Sequence, residues 1–331
     1  MENNYIYIPD KSQHEEFRCR VPLQDTEQVF VVDGKGEKMG LNLGKGEILS
    51  QILQVIAVRS RQAQEDLSYS TDYRLAERAQ ARVLLCSHTL SMEDFTTHEC
   101  VNVELGKGAI LDMVVMQNEH NKSKHSTSFK VQMEEGAEFN LNVVTLHGGE
   151  ISNEIEVNLN GKGGECCVNG LYLADGQQKV STRVNIFHNV PECHSSQLFK
   201  GILDGESRTS FSGKIYVAKD AQKTEAYQAN NNLLASKTAK AYTQPHLEIY
   251  ADDVKCSHGA TVGSLNEDEL FYMRSRGIAK DEAKLLQQQA FAYAVLEKVA
   301  NESLRERLHS LLESRLRGEF SECANCSKHC C

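Results

Sequence analysis

The chain has 331 residues, 40% hydrophobic and 25% charged, a composition typical of a globular protein that buries a large core. Its formal net charge of −10 argues against a nucleic acid as ligand, because nucleic-acid binding needs a dense basic surface. No apolar run approaches the ~18 residues that span a bilayer. The N-terminus is polar and acidic, unlike a signal peptide. We therefore expect a cytoplasmic protein without membrane association.

The chain contains eleven cysteines, an odd number that cannot all pair within one molecule. In a cytoplasmic protein of this size, metal or redox chemistry is a better default for cysteine than disulfide bonds. Seven cysteines are scattered from Cys19 to Cys256. The other four crowd the last nine residues, at Cys323, Cys326, Cys330 and Cys331.

Short segments of alternating polarity run from about Gln28 to Gly263, beginning near Val29. Clusters of Gly, Asn and Asp separate them, which predicts strands and tight turns. The chain has only four prolines, so these strands are seldom interrupted. Residues 48–81 fit either a helix or paired strands.

A weak internal repeat lies inside this region. Gly108, Gly136 and Gly164 are 28 residues apart, and glycine suits tight turns with positive φ. Apolar residues recur five positions before each glycine and seven after it; they are Val103, Val131, Leu159, Val115, Val143 and Leu171. A fixed period is typical of stacked units and predicts a β-solenoid or β-helix. On the repeat alone, an ordinary β-sandwich is an open alternative.

A helical pattern replaces the strand pattern after Gly263. Asn266 can cap a helix, with Glu269 completing a capping box. Apolar residues then recur at helical spacing, and Gly277 and Gly318 stand where helices would end. The amphipathic stretch 301–317 either packs on its neighbours or docks a partner. We therefore divide the chain into a short N-terminal segment (1–27), a β core (28–263), a small helical domain (264–318) and a cysteine-rich tail (319–331).

No phosphate-binding loop, dinucleotide fingerprint or metalloprotease motif is present in the sequence. We therefore expect no nucleotide bound by this chain, and any use of ATP would need another subunit. Cys256 and His258 stand two residues apart, so on a strand both side chains would project from one face. A thiolate and an imidazole suit iron or zinc. The alternative to a metal site is an ordinary buried cysteine beside a surface histidine.

Residues 219–276 resemble the signature region of the SufB/SufD family, specifically its SufD branch. The match is far longer than a four-residue motif, and it becomes diffuse over the preceding β region. The matching positions are residues 221–224, Gln228, 232–234, Pro245, 247–249, 251–263, 270–272 and 275–277.

The resemblance implies a right-handed parallel β-helix core, mainly β, followed by a small C-terminal helical domain. It also implies a scaffold subunit for iron–sulfur cluster assembly, not an enzyme. A SufB-like paralogue would pair through the end of the β-helix, and a SufC-like ATPase would dock on the helical domain. A transient iron–sulfur cluster would form at the paralogue interface, with His258 contributing and Cys256 as the second choice. Without its paralogue the chain is expected to form a homodimer.

The sequence departs from the family pattern in three places. The SufB branch has a cysteine directly after the glutamine that matches Gln228, where this chain has Ala229. The SufD branch is therefore indicated, and this chain is not expected to accept sulfur. Family members usually begin with a longer helical region, whereas little precedes Val29 here. The cysteine-rich tail (319–331) is not part of the family pattern.

The tail cysteines have a spacing that fits tetrahedral thiolate ligation, with His329 among them. A flexible thiol-bearing terminus is the alternative interpretation. The adjacent Cys166 and Cys167 are interpreted as core filling, and histidines such as His147 and His194 as surface residues.

Two other functions compete with a cluster scaffold. A β-helix polysaccharide-processing enzyme would need clustered carboxylates and aromatics along a groove, and the absence of tryptophan and of an obvious carboxylate cluster argues against it. A purely structural interaction protein would have no metal role, and substitution of His258 distinguishes it from a scaffold.

Overall fold

The strands wind into a parallel β-solenoid of about eight turns, and three helices follow it. The computed structural model describes residues 26–36, 38–60, 66–89 and 93–318, with residue 23 and two short strands before them. The strands are β1 (Ile6–Tyr7), β2 (Glu16–Phe17), β3 (Thr26–Val32), β4 (Gly40–Leu43), β5 (Ile48–Arg59), β6 (Leu67–Leu75), β7 (Gln80–Thr89), β8 (Phe95–Leu105), β9 (Ile110–Asn118), β10 (Ser123–Met133), β11 (Glu138–His147), β12 (Glu150–Leu159), β13 (Glu165–Ala174), β14 (Lys179–His188), β15 (His194–Leu203), β16 (Arg208–Val217), β17 (Thr224–Leu234), β18 (Lys240–Ile249) and β19 (Val254–Ser264). The helices are α1 (Glu267–Ser275), α2 (Lys280–Leu296) and α3 (Glu302–Leu316).

Two parallel sheets form the walls of the solenoid. The even-numbered strands β4 to β18 make one sheet and the odd-numbered strands β3 to β19 make the other, each in chain order. Each turn therefore adds one strand to each wall, and a residue pairs with the equivalent residue one turn later, as Val103 does with Val131. This parallel pairing confirms the solenoid, because a sandwich joins mainly antiparallel strands. Within the ambiguous segment 48–81, the described residues include strands β5 and β6 and the start of β7.

The predicted 28-residue period holds for one step and fails at the next. Val131 pairs with Val157, not with Leu159, because the connection between these turns is shorter. Gly108 and Gly136 have φ of +63° and +64°, but the equivalent left-handed position in the third copy is Gly163, at +73°. The alignment of Gly164 with the two earlier glycines was therefore wrong by one residue. Turn length varies while the register of the strands is kept.

Burial differs between the two walls. Strands of the even wall, such as β12 and β14, alternate strictly between buried and exposed residues, since one face meets the core and the other meets solvent. Strands of the odd wall, such as β11, are buried on both faces in their second half. There a second apolar cluster joins Val144 and Leu171 of the wall to Val295 and Leu308 of the helices. The helices therefore cover the odd wall only.

Side-chain caps and glycines set the ends of the helices. Asn266 caps α1 by accepting from the backbone N–H groups of Asp268 and Glu269, as expected. The capping box is not completed by Glu269, because Gln287 accepts from the Asn266 N–H instead, at 3.2 Å. Gly277 and Gly318 have φ of +90° and +85° just beyond α1 and α3, which confirms their predicted place. No helix in the described part of the chain is long and apolar enough to cross a membrane.

A buried arginine anchors α3 on the solenoid. Arg315 is 5% exposed, and its Nε donates to the Leu146 carbonyl at 2.7 Å. Its Nη1 donates to the Asp175 carboxylate at 2.8 Å. Its charge is thus paired where α3 meets the odd wall, and the helices and the wall form one packed unit.

Two minor sequence interpretations need correction. His147 is not a surface residue: it is 1% exposed, and its Nδ1 lies 2.6 Å from the Glu119 carbonyl oxygen. Burial and the nearby Arg315 charge lower the pKa of His147 to about 4. Cys166 fills the core as expected, whereas Cys167 faces the opposite way and accepts a hydrogen bond from Ser196. Neighbouring residues of a strand cannot both point inward.

An ionisable cluster lies inside the early turns of the solenoid. His125 bridges two glutamates: its Nδ1 contacts the Glu119 carboxylate and its Nε2 lies 3.5 Å from the Glu99 carboxylate. All three side chains are less than a tenth exposed. Burial alone would lower the pKa of His125, but the charges and hydrogen bonds of Glu119 and Glu99 outweigh it and raise the pKa to about 10. The core therefore holds a protonated histidine between two acids.

We predict that this cluster makes the folded state less stable as the pH becomes alkaline. A raised folded-state pKa stabilises the fold fully below the unfolded value of about 6.5, and that contribution is lost as pH rises through about 10. The free energy of unfolding from urea titrations should fall over this range. The fall should be smaller in His125→Gln, and unchanged in the control His246→Gln, which alters an exposed histidine. Equal pH dependence in wild type and His125→Gln would contradict the assignment.

Candidate metal site at the open end of the solenoid

The last turn of the solenoid, strands β18 and β19, is called the end turn here. Each of these strands is the terminal member of its sheet, so it is paired on one edge only within the described residues. Unpaired strand edges present backbone donors and acceptors that can pair with another chain. Apolar side chains of the end turn are also exposed, among them Tyr242, Ile249 and Val262.

Cys256 and His258 both lie in β19, on the face that continues the solenoid interior. Cys256 pairs in register with Ala226, and His258 pairs with Gln228. Ala226 and Gln228 point into the buried core of the preceding turn. Because corresponding residues of paired strands share a face, the two candidate ligands project from one face. No strand covers them in the described chain, so His258 is exposed and Cys256 is half-buried.

The two donors have different surroundings. Cys256 packs against a small apolar cluster that includes Ile215 and Ala226. Burial raises the pKa of the Cys256 thiol, opposed only in part by a hydrogen bond from the Ala226 backbone. The thiol therefore stays protonated at neutral pH until a metal displaces the proton. His258, in contrast, is exposed at the open end.

The pair does not make a complete metal site by itself. No group of three or more His, Cys, Asp or Glu side chains is placed to hold a metal ion within the part of the chain that the structure describes. A cluster normally takes more protein ligands than two. The predicted tail ligands Cys323, Cys326, Cys330 and Cys331, with His329, lie outside the described residues. The arrangement at the end turn therefore provides two soft or borderline donors that need others from elsewhere.

Cys256 and His258 lie outside four surface pockets that the described residues form. A surface groove of about 900 Å³ is lined by residues such as Asn121, Asp175 and Arg208, and includes neither Cys256 nor His258. A metal site that a second chain completes has no pocket before that chain binds, so the chemistry of the two donors identifies this candidate site and cavity size does not.

Sequence reasoning missed the polar interior just behind the end turn. Gln197 and Gln228 are each 3% exposed, and they stack in register below His258. Asn230 and Asn232 are also buried, and both bond to the Tyr172 hydroxyl. The alternating polar residues of β17 were visible in the sequence. Their inward direction depends on the register, which the sequence did not provide.

The helices carry a second exposed surface, called the α1–α2 patch here: Phe271, Tyr272 and Leu286. Phe271 is 73% exposed and Tyr272 is 59% exposed, unusual values for large apolar side chains. A groove of about 420 Å³ lies beside them, lined by Leu265, Met273 and other residues of α1 and α2. This surface could bury an apolar partner.

Comparison with known proteins identifies the family. The model for the SUF system FeS cluster assembly SufBD core domain matches residues 59–291. The iron–sulfur cluster assembly protein SufD of Escherichia coli is 35% identical over 246 residues, which cover 74% of this chain and 58% of that protein. A SufBD family protein of Synechocystis is 31% identical over 230 residues, or 70% of this chain and 51% of the relative. The chloroplastic protein ABCI7 of Arabidopsis thaliana is 30% identical over 223 residues, or 67% and 47%.

The chain thus spans about half the length of the curated relatives it matches. The matched region runs through most of the solenoid and into α2, so it includes the end turn with Cys256 and His258. The chain therefore belongs to the SufB/SufD family and is of the SufD type.

Proposed function

We propose that this chain is a scaffold subunit for iron–sulfur cluster assembly and has no catalytic activity of its own. It holds a nascent cluster, as cargo, between its end turn and a SufB-like paralogue. His258 is the principal ligand from this chain and Cys256 is the second. The similarity to the iron–sulfur cluster assembly protein SufD of E. coli supports a role in cluster assembly. The position of the two donors at the end turn supports the location of the cluster.

The proposal depends mainly on one observation: the terminal strand holds two metal-binding side chains, too few for a complete site, and no described strand covers them. Cys256 and His258 share the inward face of the terminal strand β19. A second chain pairing with the end turn would cover this face and add its own ligands. Removing the cluster from water in this way would also protect it from loss, since the hydrophobic shell around a metal site controls solvent access.

The division of labour with the paralogue follows from one position. Ala229 follows Gln228, where the SufB branch has a cysteine, so this chain offers no thiol there to accept sulfur. We assign sulfur acceptance to the paralogue and a ligand role to this chain.

Energy for the process comes from a SufC-like ATPase in this proposal, because the chain has no phosphate-binding loop. The α1–α2 patch is the proposed docking surface. Its aromatic side chains are exposed, and interfaces draw most of their binding energy from buried aromatic anchors.

We predict that His258→Ala lowers cluster assembly without unfolding the chain. The residue is exposed at the end of the solenoid, so its loss leaves no cavity. Iron and labile sulfide in the co-expressed complex should fall by at least about tenfold, the lower end of the loss seen when even an outer-shell partner is removed. Cys256→Ala should match this loss if the thiol is a ligand, and fall short of it if the thiol is only packed.

Two controls accompany that measurement. His246→Ala removes an exposed histidine from β18, where His246 lies 3.3 Å from the Glu248 carboxylate, and should retain the cluster. Replacing Cys323, Cys326, Cys330 and Cys331 together by Ser should also retain it. Normal assembly in His258→Ala, with loss in the tail variant, would place the chemistry at the other end of the chain.

We predict that the isolated chain forms a homodimer through the end turn. Unpaired strand edges and exposed apolar side chains favour pairing with a second copy. In sedimentation experiments at micromolar concentration, Val262→Lys should shift the chain toward monomer, because it puts a charge on an apolar site of β19. Ile48→Lys makes the same change at an exposed site of β5 and should have no effect. A wild-type monomer with rapid amide exchange in β18 and β19 would refute the interface.

We predict that Phe271→Ala weakens binding of the ATPase subunit by more than about tenfold, the range of an aromatic hot spot. Glu302→Ala, at an exposed position of α3 outside the α1–α2 patch, serves as the control. Titration calorimetry would measure both affinities, and circular dichroism would confirm that the helices persist. Equal affinity for the two variants would exclude this patch as the dock.

A further inference from the structure

One inward column of the odd wall changes from apolar to polar as it approaches the open end. Val168, Gln197, Gln228 and His258 are successive partners in register across strands β13, β15, β17 and β19. Val168 belongs to the apolar core, whereas the two glutamines are almost fully buried and His258 ends the column at the surface. The proposed ligand thus stands directly above a buried carboxamide pair.

This carboxamide pair is only partly hydrogen-bonded. Nε2 of Gln228 donates to Oε1 of Gln197 at 2.8 Å. The remaining atoms, Oε1 of Gln228 and Nε2 of Gln197, are buried and have no hydrogen-bond partner among the described residues. A buried polar atom without a hydrogen bond loses its interaction with water and gains nothing in return, so native proteins seldom keep such atoms without a reason.

The opposite wall has room for the Gln228 carboxamide at one glycine. A Cβ at Gly213 would lie 2.2 Å from Nε2 of Gln228, so only glycine leaves the space that this amide fills. The carboxamide therefore packs against the backbone of β16. This contact and the bond to Gln197 restrict its orientation.

The amide nitrogen of Gln228 is used toward Gln197, its partner in the turn before. The oxygen is therefore the atom of this carboxamide that remains for His258, its partner in the turn after. Strands in register are about 4.8 Å apart, a spacing at which the Gln197–Gln228 bond already forms. His258 does not make the equivalent bond in this conformation; its exposed side chain can rotate within nanoseconds.

We propose that Gln228 is a positioning residue for His258: its buried carboxamide oxygen accepts the imidazole N–H and directs the other ring nitrogen, with its lone pair, to the open end. The inference rests on the proposed ligand role of His258. Histidines that bind metals usually donate their second ring N–H to an oxygen acceptor, which fixes both tautomer and ring direction. Gln228 supplies such an acceptor from inside the solenoid.

The tautomer of neutral His258 tests this contact in the full-length chain without any metal. The chain would be labelled with ¹⁵N-histidine, and His258 identified by the signals that His258→Gln removes. In wild type at mildly alkaline pH, the ring shifts should show one dominant tautomer. Gln228→Met keeps the side-chain volume but removes the hydrogen-bond acceptor. The ¹⁵N chemical shifts of both His258 ring nitrogens should then move toward those of free imidazole. Gln228→Glu, which keeps an oxygen acceptor, should retain the wild-type tautomer.

Gln197→Met is the matched control, because it removes the bond within the same buried pair but keeps the Gln228 oxygen and the packing of its carboxamide against the backbone at Gly213. Unchanged shifts in Gln197→Met together with changed shifts in Gln228→Met support the proposal. Equal shifts in wild type and Gln228→Met overturn it, as does an equal change in both methionine variants, which would show a general packing effect. Normal iron content in the His258→Ala complex would instead refute the ligand role, and the ring shifts would still report the Gln228 contact.

Discussion

Parallel stacking in register governs this molecule. Each strand bonds to the equivalent strand one turn earlier and one turn later, as Ala226 and Gln228 do with Cys256 and His258. Such a stack satisfies its backbone everywhere except at its ends. At the end turn, side chains on the inward face, which would be core in any earlier turn, are exposed because no further turn covers them among the described residues. The candidate metal ligands are therefore interior residues of a solenoid that stops, and a second chain that continues the stack would enclose them.

The helices follow directly from that end. β19 ends at Ser264 and α1 begins at Glu267, so the strand with the candidate ligands continues into the proposed ATPase dock after two residues. The helices in turn pack on the odd wall, where Arg315 joins them to Leu146 and Asp175. In the proposed complex, a movement of the helices would reach β19 through this short connection. The two proposed surfaces are thus adjacent along the chain.

The sequence predicted the features that depend on local pattern. Strand alternation, the helix cap at Asn266 and the helix ends at Gly277 and Gly318 follow from short-range chemistry. The sequence did not predict the features that depend on the register between turns. The one-residue shift at Gly163, the burial of His147 and the Glu99–His125–Glu119 cluster arise from contacts between turns whose lengths vary. Gln228 was noticed only as a family position, because nothing in the sequence shows that it lies below His258.

Electron spin echo measurements on the reduced, cluster-loaded complex test the central claim most directly, with ¹⁵N-histidine in this chain alone. Ligation at the end turn predicts a ¹⁵N hyperfine coupling to the cluster from this subunit, and its loss in His258→Gln. A cluster with no coupling to any histidine of this chain, or a coupling that survives in His258→Gln, would contradict it.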